Sequence, residues 1–275
     1  MNDKKSFVRI IFDLFLKMTY SFTREVYHIF KKKHTGKPCI MRFETPLYSA
    51  RLLQRVSTVL ADGCFDSGET FTAYCSNVSK MNGLAIPGTQ IYVSENPKKG
   101  HYIPFVWEVC DVNGTLVGVN VSHHYDLVLE GIRDGVLAEL SGYEKSERIL
   151  PSDDTSLMDV RLTPPDGDDR PVCKIAIASA YEKKGVDLLF PDTVYVANAR
   201  IADQMEKALD AGYRVVFLIL AQRIDSIGVK ANWTADPVCL NRLKNLCDKG
   251  LEILCYGCTV TLEEIIITAR LPFAF

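Results

Sequence analysis

From Ser156 to Ser179 the chain reads SLMDVRLTPPDGDDRPVCKIAIAS. The runs Ser156–Leu162 and Val172–Ser179 predict two strands, and TPPDGDDRP between them predicts the turn that joins them. Downstream, Asn198–Gly212 has helical periodicity, and RVVFLILA (Arg214–Ala221) is apolar at every position after its arginine, as in a strand buried on both faces. Pro237–Gly250 predicts another helix and Gly250–Thr261 a final strand. Upstream, DLVLEGIRDGVLAELSG is helical, with Leu127, Leu129, Ile132, Val136, Leu137 and Leu140 on one broad apolar face. The order α-β-β-α-β-α-β predicts an α/β domain with a mixed sheet.

From Arg42 to about Asn120 the pattern changes to short alternating runs: ARLLQRVSTVLADG, ETFTAYCSNVS, LAIPGTQIYVSEN, PFVWEVCDVNG and TLVGVNVS. Asp62-Gly63, Asn82-Gly83, Pro87-Gly88 and Asn113-Gly114 punctuate them as turn signals. Five or so strands at this spacing suggest a small barrel of the OB kind.

In the first forty residues Phe7, Ile10, Ile11, Leu14, Phe15 and Met18 fall on one helical face. A second helical stretch, Phe22–Lys33, ends in Lys31-Lys32-Lys33 and is broken by Gly36-Lys-Pro38. The apolar stretch is too short to cross a bilayer and is interrupted by Arg9, Asp13 and Lys17. It lacks the small-residue cleavage site of a signal peptide. A basic amphipathic helix on an anionic membrane surface is one reading; a helix packed on the body, or an extension upstream of a start at Met41, is the other.

The whole chain has 275 residues, 47% of them hydrophobic and 24% charged, which excludes disordered, collagenous and coiled-coil classes. Its formal charge of -2 hides an asymmetry. Nine basic and three acidic residues lie in the first forty positions, leaving 23 basic against 31 acidic side chains in the rest. A nucleic-acid-binding body normally carries the opposite sign. Nine cysteines, odd in number and mostly within apolar runs, do not form a secreted disulfide framework, and a reducing cytoplasm fits them. Cys255-Tyr-Gly-Cys258 matches a CxxC motif but lies in a predicted strand, where residues three apart point to opposite faces. His123-His124 reads as a pair at the junction of two domains.

Several segments together resemble the sugar fermentation stimulation protein (SfsA) family. They are Pro46-Leu47 with ARLLQRV, the Met81-Asn-Gly83/Pro87-Gly88 segment, Trp107-Glu108, Val119-Asn120 and Glu139-Leu-Ser-Gly-Tyr143, then Phe190-Pro191-Asp192, RVVFLILA, Asp236-Pro237 and GLEIL. The similarity runs from about Met41 to the C-terminus. It implies an OB-like domain, a PD-(D/E)xK nuclease-like α/β domain and DNA binding. The expected organisation is a basic amphipathic helical extension over residues 1–40, an OB-like domain over 41–120 and a nuclease-like domain over 121–275.

PD-(D/E)xK chemistry takes one acid from one strand, and an acid and a lysine two residues apart from the next, where alternation puts both on one face. The carboxylates hold Mg2+, and the lysine orients water or stabilises developing charge. The resemblance makes Asp159 the first acid. The second strand, which the family writes Cys-x-Ile-Glu-Val-Lys-Ser, reads Cys173-Lys-Ile175-Ala176-Ile-Ala178-Ser179, so both remaining catalytic positions are alanine. Further departures are Thr155 and Leu157 where the family has arginines, and Tyr195-Val-Ala-Asn-Ala-Arg200-Ile201 in place of Thr-x-Arg-Gly-x-Lys-His. Arg55-Val-Ser57-Thr58-Val59 replaces Arg-x-Lys-Arg-Phe, and Asn77-Val78-Ser79 replaces Asn-Thr-Gly.

The expectation is a cytoplasmic bacterial SfsA homologue with a vestigial Asp159, no cofactor, and non-specific DNA binding through Arg51, Arg55, Asn77, Lys80 and Arg200. One alternative is an active Mg2+-dependent nuclease using Asp159 with Glu182 and Lys184, an acid-x-lysine expected in a solvated turn. The other is a non-enzymatic interaction protein, tethered to a protein or a membrane by residues 1–40. The loop acids Asp153, Asp154, Asp166, Asp168 and Asp169 read as surface residues, and no small-molecule substrate is indicated.

Overall fold

The computed structural model describes residues 41–97, 102–149, 158–194 and 196–275. The helical extension expected over residues 1–40, the acids Asp153 and Asp154, and Thr155 and Leu157 lie outside them.

The first strand, β1 (Met41–Arg42), pairs with the edge of the α/β sheet. The next six are β2 (Tyr48–Arg55), β3 (Leu60–Phe65), β4 (Thr70–Tyr74), β5 (Gln90–Glu95), β6 (Phe105–Val112) and β7 (Thr115–Gly118). They pair in the order β4-β3-β2-β5-β6-β7, and a parallel β4–β6 pairing closes five of them into a barrel. This is the OB-like barrel that the alternating runs predicted. Alternation sends Ala50, Leu52, Ala61, Phe71, Ala73, Ile91, Val93 and Trp107 inward. Arg51, between the inward Ala50 and Leu52 of β2, faces out.

Turn chemistry was legible at Asn113-Gly114, where both residues take positive φ (54° and 82°) between β6 and β7. It was misread at Asp62-Gly63, which lies within β3. There Asp62 accepts hydrogen bonds from Thr72 and Gln54, and a Cβ on Gly63 would sit 2.5 Å from the Phe71 ring. The glycine makes room for an aromatic of the barrel core.

A 3-10 turn (Val121–His123) leads into α1 (His124–Arg133), which Asp134 and Gly135 end earlier than the apolar face suggested. Then come β8 (Lys145–Arg148), β9 (Val160–Thr163), β10 (Cys173–Ser179), β11 (Glu182–Lys184), β12 (Asp187–Phe190), α2 (Val196–Asp210), β13 (Arg214–Ala221), β14 (Gly228–Ala231), α3 (Pro237–Asp248), β15 (Glu252–Val260), β16 (Glu264–Leu271) and β17 (Phe273–Ala274). The main sheet runs β1-β16-β15-β13-β10-β9-β8, with β10, β13 and β15 parallel. A smaller sheet runs β11-β12-β14-β17.

The apolar run of β13 serves both faces, as expected. Val215, Phe217 and Ile219 join the core under α2 and α3, while Val216, Leu218 and Leu220 join the core under α1. Cys255 and Cys258 likewise fall in different cores, and the eight cysteines among the described residues are free thiols. Asp236 caps α3 by accepting from the Cys239 N–H at 2.9 Å, with Pro237 following it.

Two further readings need correction. The strand ending near Thr261 is not the last: β16 pairs antiparallel with it after a turn at Thr261, whose hydroxyl accepts from the Glu263 and Glu264 N–H groups. Glu182-Lys183-Lys184 is not a solvated turn but strand β11, paired with β12. Ile40–Phe275, barrel and α/β sheet together, form one compact unit. Tyr181, from the loop after β10, packs into the barrel core. No helix among the described residues is long and apolar enough to cross a membrane.

Candidate functional site

A cleft of about 320 Å³ opens between the barrel loop Ser76–Ser79, the start of α1, the end of β10 and the Phe190–Thr193 segment. Asp159 lines it. Its main-chain N–H donates to Ile175 O (2.8 Å), and its Oδ2 accepts the Ile177 N–H (2.7 Å). Extending the Val160–Ile175 register by one residue sets Asp159 opposite Ala176. The three positions that the nuclease pattern requires therefore converge, but two of them carry only a methyl group. Ala176 is buried in the core under α2 and α3, and Ala178 lines the cleft. Burial pushes the Asp159 carboxyl up to about 6, against the lowering effects of the Ile177 N–H and the Arg148 charge.

The 3-10 turn aims two adjacent histidines apart. Asn120 caps the turn by accepting from the Ser122 N–H at 3.0 Å. His123 Nε2 reaches back to Glu108 Oε2 at 2.8 Å, in a buried set that Ser94, Ser76 and Asn120 complete. His124 points the other way, with Nε2 3.0 Å from Ser179 Oγ. Burial, with a smaller push from His123, lowers the His124 imidazole to about 3, so it is neutral at physiological pH and a poor base. The Ser179–His124 pair is thus a hydrogen-bonding wall of the cleft, not an activated nucleophile.

Three residues of the lining each carry a polar atom closed to solvent with no hydrogen-bond partner among the described residues: Asn77 Nδ2, Tyr181 Oη and Asp192 Oδ2. The Asn77 amide is oriented by its Oδ1, which accepts the Ser79 N–H at 3.0 Å. The Tyr181 hydroxyl turns toward Ser179 without completing a hydrogen bond of normal geometry.

The residues expected to bind DNA separate into two groups. Asn77 lines the cleft, Lys80 follows the lining residue Ser79, and Arg200 precedes the lining residue Ile201; both cations are exposed. Arg148, which sequence reasoning missed, joins this rim with its guanidinium 5.2 Å from the Tyr125 ring centroid. Arg51 lies outside the lining residues on β2 and donates to Gly88 O. Arg55 is a clamp: its guanidinium donates to the carbonyls of Thr58 (2.6 Å), Ser79 and Asn77, fixing the barrel loop. Glu182 accepts from Asn82 Nδ2, and neither it nor Lys184 lines the cleft.

A family model of the sugar fermentation stimulation protein RE domain matches residues 122–264. The sugar fermentation stimulation protein homolog of Paramagnetospirillum magneticum is 32% identical over 231 residues, spanning 84% of this chain and 97% of that protein. The homolog of Geobacter sulfurreducens is 33% identical over 229 residues, spanning 82% and 96%. The structure of Pyrococcus furiosus SfsA in complex with Ca2+ superposes with a TM-score of 0.74 at 20% identity, covering 85% of this chain and 98% of that one, a likeness of fold. Barrel, mixed sheet and sequence agree: the chain belongs to the sugar fermentation stimulation protein (SfsA) family.

Proposed function

We propose that this SfsA homologue binds nucleic acid through the sugar–phosphate backbone at the rim of the cleft and does not cut it. The observation that supports this is the Asp159–Ala176–Ala178 arrangement, in which the positions that the family resemblance assigns to nuclease chemistry bring one carboxylate and two methyl groups. A Mg2+ ion wants near-octahedral oxygen donors anchored by one or two carboxylates. Here Asp159 already accepts a main-chain N–H, its two partner positions bring no donor, and with Asp192 the only other acid of the lining, no three His, Cys, Asp or Glu side chains gather to hold an ion among the described residues. Without the lysine, nothing at position 178 orients water or meets developing charge. These residues do not fit the ion.

Arg148 lines the cleft, and the exposed Lys80 and Arg200 are each next in sequence to a lining residue; such cations suit phosphate oxygens, which fix register without reading sequence. Two or three neutralised phosphates give binding a log–log salt slope of about -2 to -3. Fluorescence anisotropy of a duplex with the full chain, across a salt series, tests this. Arg148→Ala is expected to weaken binding and flatten the slope by about one; an unchanged slope in this and the matching Lys80 and Arg200 variants would contradict the rim.

A further inference from the structure

We propose that Asn82 and Glu182 form a strap that holds the barrel loop carrying Lys80 against the Phe190–Thr193 wall, and so positions the rim for the sugar–phosphate backbone. This rests on the rim reading above and gives a role to two residues outside the cleft lining. Asn82 is exposed, in a turn closed by the Leu84 N–H on Met81 O at 2.9 Å. Met81, just before it, is left-handed (φ 52°), a conformation that costs a non-glycine residue free energy unless its surroundings impose it. Here they do: the Met81 side chain is 1% exposed, in the barrel core beside Cys75. With Met81 anchored inside, Asn82 reaches across. Its Nδ2 donates to Glu182 Oε2 at 2.9 Å and lies 3.5 Å from Asp192 O. A primary amide suits the place, because it can donate to a carboxylate and a carbonyl at once.

Both ends of the strap are anchored. On the barrel side the Arg55 guanidinium donates to the Asn77 and Ser79 carbonyls, and the Ser79 hydroxyl accepts the Met81 N–H at 3.3 Å. On the other side Glu182 is on β11, opposite Leu189 of β12, the strand that runs into the Phe190–Thr193 wall. The next residue, Lys183, pins β11 through an ion pair with Asp225 at 2.7 Å. The start of the barrel loop is tied toward α1 instead: the Ser76 hydroxyl donates to Asn120 Oδ1 and accepts the Val121 N–H. The loop is thus held toward α1 by Ser76 and toward the opposite wall by Asn82. Lys80 lies between the two ties in sequence, so where its ammonium sits depends on both.

Asn82→Asp sets two carboxylates face to face, and adding Glu182→Gln restores a donor opposite an acceptor at the net charge of the wild type. Hydrogen exchange is followed in the free full chain over the peptides that hold Lys80–Gly83 and Phe190–Thr193, and duplex binding by anisotropy across a salt series. Asn82→Asp is expected to exchange about threefold or more faster in both peptides and to bind about threefold or more weakly. The double variant is expected to recover most of both losses. Unchanged exchange in Asn82→Asp would overturn the strap, whatever the DNA does. Faster exchange with unchanged affinity would overturn its positioning role and leave the rim reading standing. A loss of affinity that the double variant does not recover would assign the effect to added charge and overturn the strap as well. Faster exchange in a chain whose wild type binds no DNA would remove the rim, and with it the role given to the strap.

Discussion

The Asp159 carboxylate accepts the Ile177 main-chain N–H at 2.7 Å, between two alanines of the same strand. The acid that the family resemblance makes a metal ligand is held by the backbone, half-shielded from water, with its carboxyl pushed up to about 6.

Asp159→Asn is expected to stabilise the protein at neutral pH. The folded-state pKa, near 6, is above the ordinary carboxylate value of 3.8, so across that window the folded chain holds a proton that the unfolded chain has released. Stability contributed by this group is thus present at low pH and lost as pH rises through about 6. Asparagine keeps an oxygen for the Ile177 N–H and carries no charge. The expected gain is on the order of 1–2 kcal/mol at pH 8, vanishing near pH 4, read from thermal melts. A lower Tm for the variant at pH 8 would contradict the description of Asp159.

His124 acts in the opposite sense. With its folded pKa lowered to about 3, the unfolded chain binds the extra proton between pH 6.5 and 3, so stability falls as the medium is acidified through that window. His124→Gln, which keeps a partner for Ser179, is expected to lessen the loss of Tm between pH 7 and pH 5. An undiminished loss would place the acid sensitivity elsewhere.

Much of the architecture was legible locally. The run Val215–Ala221 had no polar side chain to expose, and Asn113-Gly114 supplied the two left-handed residues that a tight hairpin needs. Asp62-Gly63 looked the same and was not a turn, because its glycine answers to Phe71, a contact made only in the folded barrel. Strands β11 and β14 were missed because each is short and stabilised by pairing within the small sheet rather than by its own pattern. Of the site, Asp159 was named through the family resemblance, and Ala176 and Ala178 through the flanking Cys173, Ile175 and Ser179 that fix their register. Arg148, His124 and Tyr181 were not read as site residues: the fold gathers them from separate segments, His124 meeting Ser179 across 55 residues of sequence. Arg55 had the charge of a phosphate ligand, and only the loop carbonyls around it reveal a clamp.

That clamp makes Arg55→Lys a damaging change. One ammonium cannot reproduce a planar fork shared by three carbonyls. The variant is expected to lose about 2 kcal/mol in chemical denaturation, with faster amide exchange at Asn77–Lys80. Unchanged exchange there would show that the loop holds itself.

Ala178→Lys places an ammonium in the cleft that Asp159 lines. The Asp159 carboxyl should then fall from about 6 toward the ordinary range, as followed by carboxyl-carbon NMR, because an opposite charge favours the ionised form. Cleavage should not return, since Ala176 still brings no ligand. An unmoved titration would mean that the two positions do not share the cleft.

The central claim is retention of backbone binding without cleavage. The direct measurement follows a labelled DNA with the full chain by anisotropy across a salt series, then adds magnesium to the same sample and resolves the DNA by length. The account predicts salt-sensitive binding and intact DNA. Magnesium-dependent cleavage that disappears in Asp159→Ala would contradict it, as would no binding at the lowest salt.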